Sequence, residues 1–458
     1  MSDMTPDTSA LEPPSYRLDG LTLRPAEDAD LPALAHLWAT AFPGERTAAQ
    51  RLDGLTEGTD PFGGRETCWV GELEGRFVGG LRSYPLRMHL WGREFSVQGL
   101  AAVAVTPEAR RQGVGGLLCR AALHGAHEAG VELSALFPYR VDFYRRLGYS
   151  LAGELHRYIA APGEFPRFPG GREARVVEAD EAMHLVPGFY EEVRPRVQGL
   201  IARSSRLWRF LEKPHHRVVV VPGEASHAAG SPGRIRGYLV ARLEAGRTRE
   251  RATLHVVESL VADLAAHRSL LGWLSLQRDQ WGRVIYDALP GEHLEQLLNH
   301  PRRQGSRGAR GGGLWFPSAT LLRGPMLRIV SLEDVLRWAP LPAGATLPVH
   351  DPVLEANSGT WTRMGRRAAG SGVAERGSGG GGNGSGSATG SGNGTGSAGG
   401  GGGAHDGGGQ GVGSGVGALP ITLVTELFLD GALPGQREAV GDWVPLMGIH
   451  DIRLLDTF

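Results

Sequence analysis

Residues 97–120 restrict this chain more than any other stretch. Val97 to Val105 is an apolar run of strand length, Thr106 and Pro107 break it, and from Gly113 onward Leu117, Leu118, Ala121 and Ala122 recur at helical spacing. The pattern predicts strand, tight loop, helix. Between strand and helix, Arg110, Arg111, Gln112, Gly113, Val114, Gly115 and Gly116 place cations and side-chain-free backbone at the helix start. Unpaired N–H groups and the helix dipole favour an anion there. Glycines at 113 and 115 let the backbone approach a pyrophosphate more closely than a Cβ would. The loop reads as a phosphate cradle.

Spacing narrows the phosphate ligand. The chain has no Gly-x-x-x-x-Gly-Lys-Ser/Thr for a nucleoside triphosphate and no Gly-x-Gly-x-x-Gly with a following ribose-binding acid for a dinucleotide. Arg110-x-x-Gly113-x-Gly115 instead resembles the Arg/Gln-x-x-Gly-x-Gly/Ala motif of the GCN5-related N-acetyltransferases. That resemblance implies acetyl-coenzyme A as acetyl donor, with its pyrophosphate on residues 110–116. It also implies that Ala102, Val103, Ala104 and Val105 offer backbone groups to the pantetheine arm and the acetyl carbonyl.

Length and composition set outer limits. At 458 residues the chain is long enough for about three domains. A net charge of −1 gives no bulk attraction to nucleic acid or an anionic membrane. No apolar run approaches the roughly 20 residues of a membrane span, and Met1 to Ser15 has no apolar signal core, so a cytoplasmic protein is expected. Cys68 and Cys119 lie in apolar segments and read as buried thiols. No metal is expected: His215 and His216, adjacent in a strand, would point to opposite faces.

Taken in order, Leu21 to Pro25 opens with a strand. Asp28 and Asp30 start a helix with Leu34, Leu37, Trp38 and Phe42 on one face. Strands over 67–73 and 77–90 follow, joined at Glu74, Gly75 and Arg76, and Gly92 turns the chain into the strand ending at Val105. After the helix from Gly113 to about Ala129 come a strand over 131–137 and a short helix over 142–147. The order β-α-α-β-β-β-α-β-α-β, an α/β (α+β) class, matches the acetyltransferase fold. In that fold the strands corresponding to 101–105 and 131–137 splay and admit the cofactor arm.

The candidate acid lies just beyond. Phe143-Tyr144-x-x-Leu147-Gly148-Tyr149 resembles the superfamily's Tyr-x-x-x-Gly-Phe/Tyr pattern, whose tyrosine sits near the departing sulfur, and this position maps to Tyr144. A phenol with an ordinary pKa of about 10 is protonated at neutral pH and suited to protonating a thiolate. Phe143 and Tyr149 read as core aromatics; for Tyr144 the competing reading is a ring packed there with the hydroxyl at the rim. Cys119 as acyl carrier is the competing chemistry, opposed by its apolar helix and the lack of a nearby base.

From about His156 to Phe316 the same succession recurs without its chemistry: strands over 218–221, 237–244 and 254–259, a helix over about 263–280, and a strand over 284–289. No glycine opens the helix, and Asp263 stands where the cradle would be. This second copy is expected to bind no cofactor. Further on, 326–330 reads as a strand, Ser331-x-x-Asp334 as a helix cap, and residues 347–361 as a hairpin. From about 370 to 417 nearly all residues are Gly, Ser, Asn, Ala and Thr, which cannot repay ordering entropy, so a disordered insertion is expected. A coil of that length spans roughly 35–40 Å end to end, enough to re-enter the same domain.

Together these pieces resemble the bacterial enhanced intracellular survival (Eis) type of acetyltransferase. Beyond a tail over 1–15 that is expected to be disordered, the resemblance implies a catalytic acetyltransferase domain over 16–155, a degenerate one over 156–320, and a domain resembling sterol carrier protein over 321–458, interrupted by the insertion at about 370–417. It further implies a homo-oligomer, hexameric in many relatives, and small-molecule amine acceptors of aminoglycoside type or other cationic amines. By the same resemblance the α-carboxylate of the terminal Phe458 is the general base. Asp28, Asp30, Glu45 and Glu66 are candidates for acidic lining of the acceptor cleft. The alternative reading is a lipid- or acyl-coenzyme A-binding scaffold with little turnover.

Overall fold

Short-range alternation builds the first sheet. The computed structural model describes residues 15–44, 46–90, 92–223, 234–304, 316–338, 346–362, 419–422 and 424–425. Strands β1 (Tyr16–Leu18) and β2 (Leu21–Pro25) pair across a two-residue turn. Asp19 and Gly20 both take positive φ there, the twist that suits a tight hairpin. Helix α1 (Leu31–Ala41) buries Leu31, Leu34, Leu37 and Trp38. Helix α2 (Ala48–Thr56) starts on a reciprocal cap between Thr47 and Gln50. Strands β3 (Cys68–Leu73), β4 (Arg76–Leu90) and β5 (Arg93–Val105) then form an antiparallel meander. Helix α3 (Val114–Glu128) crosses over to β6 (Leu133–Leu136), parallel to β5, and α4 (Val141–Arg145) leads to β7 (Ser150–Leu151).

The second domain repeats this plan. Its elements are β8 (Glu154–Ala160), β9 (Arg175–Val177), α5 (Ala179–Val193), α6 (Ser205–Trp208), β10 (His216–Pro222), β11 (Ile235–Glu244), β12 (Thr253–Val261), α7 (Leu264–Ser275), β13 (Arg283–Ala288), α8 (Leu294–Leu297) and β14 (Ala319–Arg323). They form a seven-stranded sheet ordered β14-β8-β13-β12-β11-β10-β9. The parallel pair β12 and β13 flanks α7 as β5 and β6 flank α3. His216 is buried, with its Nδ1–H donating to the Phe210 carbonyl at 2.7 Å, and burial pushes its pKa down to about 4.

A strand from beyond residue 320 completes the first sheet. β15 (Met326–Ile329) runs antiparallel to both β6 and β7, and the sheet order is β1-β2-β3-β4-β5-β6-β15-β7. The boundary drawn at 320 from the sequence falls inside β14, and between Arg323 and Met326 the chain passes from the second sheet back to the first. Buried β6 would otherwise leave its outer backbone groups without partners. Helix α9 (Leu332–Trp338) begins at the expected cap, with Ser331 Oγ bonded to Asp334. Strands β16 (Thr346–His350) and β17 (Gly359–Thr362) make the expected hairpin, joined by β18 (Leu419–Pro420). Leu332, Val335, Trp361 and Ile421 pack with Leu86, Met88 and Phe95 in one core, into which the second domain sends Ile201 and Leu207.

Inside the second domain Arg203 and Glu258 form a buried ion pair at 2.6 Å, with Arg203 beneath the rings of Tyr190 and Trp208 and Tyr238 donating to Glu258. Removing one partner of such a pair leaves a buried charge uncompensated. Arg203→Met is expected to destabilise the protein by about 3 kcal/mol in denaturant unfolding, with Glu258→Leu added to it recovering most of the loss. An unchanged midpoint in the single variant would contradict this.

Candidate active site

The site begins where two strands part. β5 and β6 are in parallel register at Val97, Gln98 and Gly99 only, opposite Leu133, Ser134 and Ala135. Past Gly99 the strand β5 continues to Val105 paired, among the described residues, with β4 alone. The expected splay is therefore present. Its inner wall carries a feature that the sequence did not signal, a bulge between β4 and β5. Gly80 faces Ala104 and Arg82 faces Ala101, so Ala102 and Val103 together stand against Leu81. Ala102 takes φ 49, a strained conformation for a residue with a Cβ. Trp38 holds it there, its indole N–H donating to the Ala102 carbonyl at 2.7 Å.

The cradle lies at the end of the same strand. Gly113 adopts φ 82 and caps α3, following Arg111 at φ 62. The first bonds of the helix run from the Gly116 and Leu117 N–H groups to the Gly113 carbonyl, at 2.9 and 3.1 Å. The N–H groups of Gly113, Val114 and Gly115 thus have no partner within the helix. Arg110 and Gln112 brace the loop: Arg110 donates to the Val105 carbonyl at 3.1 Å and Gln112 to the Glu108 carbonyl at 2.9 Å. Arg111 is exposed and makes no side-chain hydrogen bond or ion pair among the described residues. These groups fit a pyrophosphate: a cation beside free N–H donors at a helix start. A Cβ on Gly115 would come no closer than 3.6 Å to Val105, so packing against the described residues does not itself require a glycine there.

Tyr144 stands in α4, just past the end of β6. Its ring packs edge-on to Phe143 and Tyr149 at centroid distances of 4.9 and 5.9 Å. Burial, with the neighbouring Cys119, holds its phenol well above the ordinary range, so it keeps its proton. Its hydroxyl has no hydrogen-bond partner among the described residues. The Tyr149 hydroxyl, by contrast, is bonded to Ser134 at 2.7 Å, as suits a core aromatic. Cys119 is fully buried and its thiol is pushed up to about 12, which leaves it no thiolate at neutral pH.

Other candidates separate. Asp30 is held by Arg24 at 2.7 Å, Asp28 by Arg65 at 3.0 Å, and Glu66 accepts the Gly64 N–H at 2.7 Å. Glu45 and Phe458 lie outside the described residues, as does the glycine-rich tract over 370–417. A cavity of about 340 Å³ opens beside α1 and α2, lined by Asp28, Leu31, Arg65, Glu66 and, from the second domain, Arg206. In the second domain, Asp263 accepts the Ala266 N–H at 2.9 Å and pairs with Arg236 at 2.8 Å. That cap fills the place of an anion at the start of α7, and the N–H bond is the main cause that lowers its carboxyl pKa. No group of His, Cys, Asp and Glu suited to a metal occurs among the described residues, nor does any helix long and apolar enough to cross a membrane.

Comparison with known proteins follows the same division. Residues 22–152 match a family described as an acetyltransferase (GNAT) domain, and residues 199–329 match a second family of the same description. Over 256 residues the chain is 28% identical to the N-acetyltransferase Eis of Mycobacterium tuberculosis, an alignment covering 52% of this chain and 60% of that protein. Mycobacterium bovis has a relative with the same values. The chain thus spans about 60% of the length of the curated relatives it matches. Among solved structures, a GCN5-related N-acetyltransferase from Anabaena variabilis superposes with a TM-score of 0.68 over 96% of this chain and 100% of that one, at 18% identity. Eis1 from Mycobacterium abscessus gives 0.63 over 92% of each chain, at 16% identity. Those two likenesses concern the fold alone.

Two binding results follow from the two helix starts. Gly115→Ala is expected to leave the unfolding midpoint within about 0.5 kcal/mol of the parent or slightly above it, while weakening acetyl-coenzyme A in calorimetry about tenfold or more. The parent should bind a single acetyl-coenzyme A per chain. Unchanged affinity in the variant, or two sites per chain, would contradict the assignment.

Proposed function

For a chain that belongs to the Eis type of the GCN5-related N-acetyltransferase (GNAT) superfamily, we propose an activity: transfer of the acetyl group of acetyl-coenzyme A to a primary amine of an aminoglycoside-like or other cationic acceptor. The observation that carries this reading is the gap past Gly99, with N–H groups that have no helical partner at one end and, nearby in the fold, the Tyr144 hydroxyl, which has no partner among the described residues. Acetyl-coenzyme A supplies an activated acyl group and a thiolate as leaving group. Arg111 and the N–H groups of 113–115 hold its pyrophosphate, and the strand over 102–105 receives the pantetheine arm. A backbone N–H near Val103, in the bulge, stabilises the oxyanion as the amine attacks directly. Tyr144 keeps its proton until it passes to the departing sulfur.

The base in this reading is the Phe458 carboxylate. With an ordinary pKa of about 3.5 it cannot strip an alkylammonium alone; it orients and partly neutralises the cation while water relays the proton. The reading also includes a sterol-carrier-like fold for the C-terminal third, a cytoplasmic site of action and assembly as a homo-oligomer, a hexamer in the Eis pattern.

Thiol release with aminoglycosides, diamines and lysine peptides tests the whole reading. The intact chain is expected to turn over; Tyr144→Phe should lose about a hundredfold in kcat; a chain lacking Phe458 should fold and lose most of its rate. Because the phenol is raised, kcat should show no alkaline fall below pH about 10. Binding of acetyl-coenzyme A with no turnover of any amine would favour a scaffold. Equal rates with and without Phe458 would remove its carboxylate from the mechanism.

A further inference from the structure

The segment that follows Tyr144 is gripped by residues far along the chain. Arg328, on β15, is fully buried, and so is its partner Asp351. Arg328 Nη2 donates to both Asp351 oxygens, at 3.0 and 2.7 Å. Asp351 also accepts the N–H groups of Val353 and Leu354, each at 3.0 Å, and the Asn357 side-chain amide at 2.9 Å. Held in this way, Arg328 turns its Nη1 to donate to the carbonyl of Leu147, three residues past Tyr144.

The neighbouring backbone is shaped to receive it. Gly148 takes φ 90, and a Cβ there would stand 1.7 Å from Arg328 Nη1 and 2.9 Å from Ile421 Cγ2. Thr422 reaches the same turn from the other side, its hydroxyl donating to the Arg145 carbonyl at 3.1 Å. The turn closes on Tyr144 itself, since the N–H groups of Leu147 and Tyr149 both donate to the Tyr144 carbonyl, at 3.0 and 3.2 Å. A buried ion pair is a poor source of stability compared with apolar residues of the same volume. What it supplies is direction: the planar guanidinium, fixed by a bidentate carboxylate, aims one N–H at one carbonyl.

We propose that Arg328, oriented by Asp351, is a positioning residue for Tyr144, and that the C-terminal third of the chain, through Arg328 and Thr422, sets where the phenol stands. This rests on the reading of Tyr144 as the acid. Arg328 touches no reacting atom; it fixes the turn from which Tyr144 projects.

A double-mutant cycle on the full chain separates positioning from general support. Arg328→Lys and Asp351→Asn should each lower kcat about tenfold, and Thr422→Val about threefold, with acetyl-coenzyme A affinity in calorimetry unchanged. In a Tyr144→Phe background the same substitutions should cost nothing further, because the group they position is gone. If the buried substitutions prevent folding, Thr422→Val, at a half-buried position, carries the cycle. Losses that multiply in the Tyr144→Phe background, or folded variants with parental kcat, would overturn the inference while leaving the acid in place. A Tyr144→Phe chain at full rate would overturn both.

Discussion

Two parallel strands in register for three residues and then apart create a demand on everything around them. Past Gly99 and Ala135 the facing edges of β5 and β6 no longer share a ladder, and a wedge of backbone donors and acceptors has to be kept open without collapsing. Each wall is held from its far side. β5 leans on β4 through the bulge at Ala102 and Val103, with the Trp38 indole fixing the strained carbonyl. β6 leans on β15, a strand that arrives from almost two hundred residues later. The wedge is thus an output of the whole chain.

Comparing the two domains shows how little sequence separates a cradle from a cap. Both place a helix after the third strand of a meander and before a parallel partner, and both carry a register shift in that third strand. At the start of α3 a left-handed glycine leaves three N–H groups without helical partners; at the start of α7 Asp263 satisfies its own helix. One carboxylate, bonded to Ala266 and paired with Arg236, occupies the start of that helix. In the second domain an arginine and a glutamate, with aromatic rings over the guanidinium, lie close to that shift.

Much of this was legible in the sequence, for identifiable reasons. Apolar runs such as 97–105 and the helical spacing after Gly113 are local signals, and the observed strand and helix fall on them, with β5 starting at Arg93 just past the turn read at Gly92. Ser331 and Asp334 cap a helix as their spacing suggests. What sequence did not disclose depends on distant partners. Alanine at 102 gives no hint of positive φ, because only Trp38 and the register with β4 impose it. β15 reads as a strand, yet its choice of sheet is set by the empty edge of β6. Arg328 looks like a surface arginine until Asp351 is brought beside it, and nothing in the spacing of the two predicts that meeting.

The most direct test is a crystal structure of the protein with acetyl-coenzyme A bound. The account predicts the pyrophosphate against the N–H groups of 113–115, the pantetheine arm between β5 and β6, and the thioester sulfur within hydrogen-bond reach of the Tyr144 hydroxyl. Density for the cofactor at the start of α7, or a thioester lying away from Tyr144 with the gap empty, would contradict it.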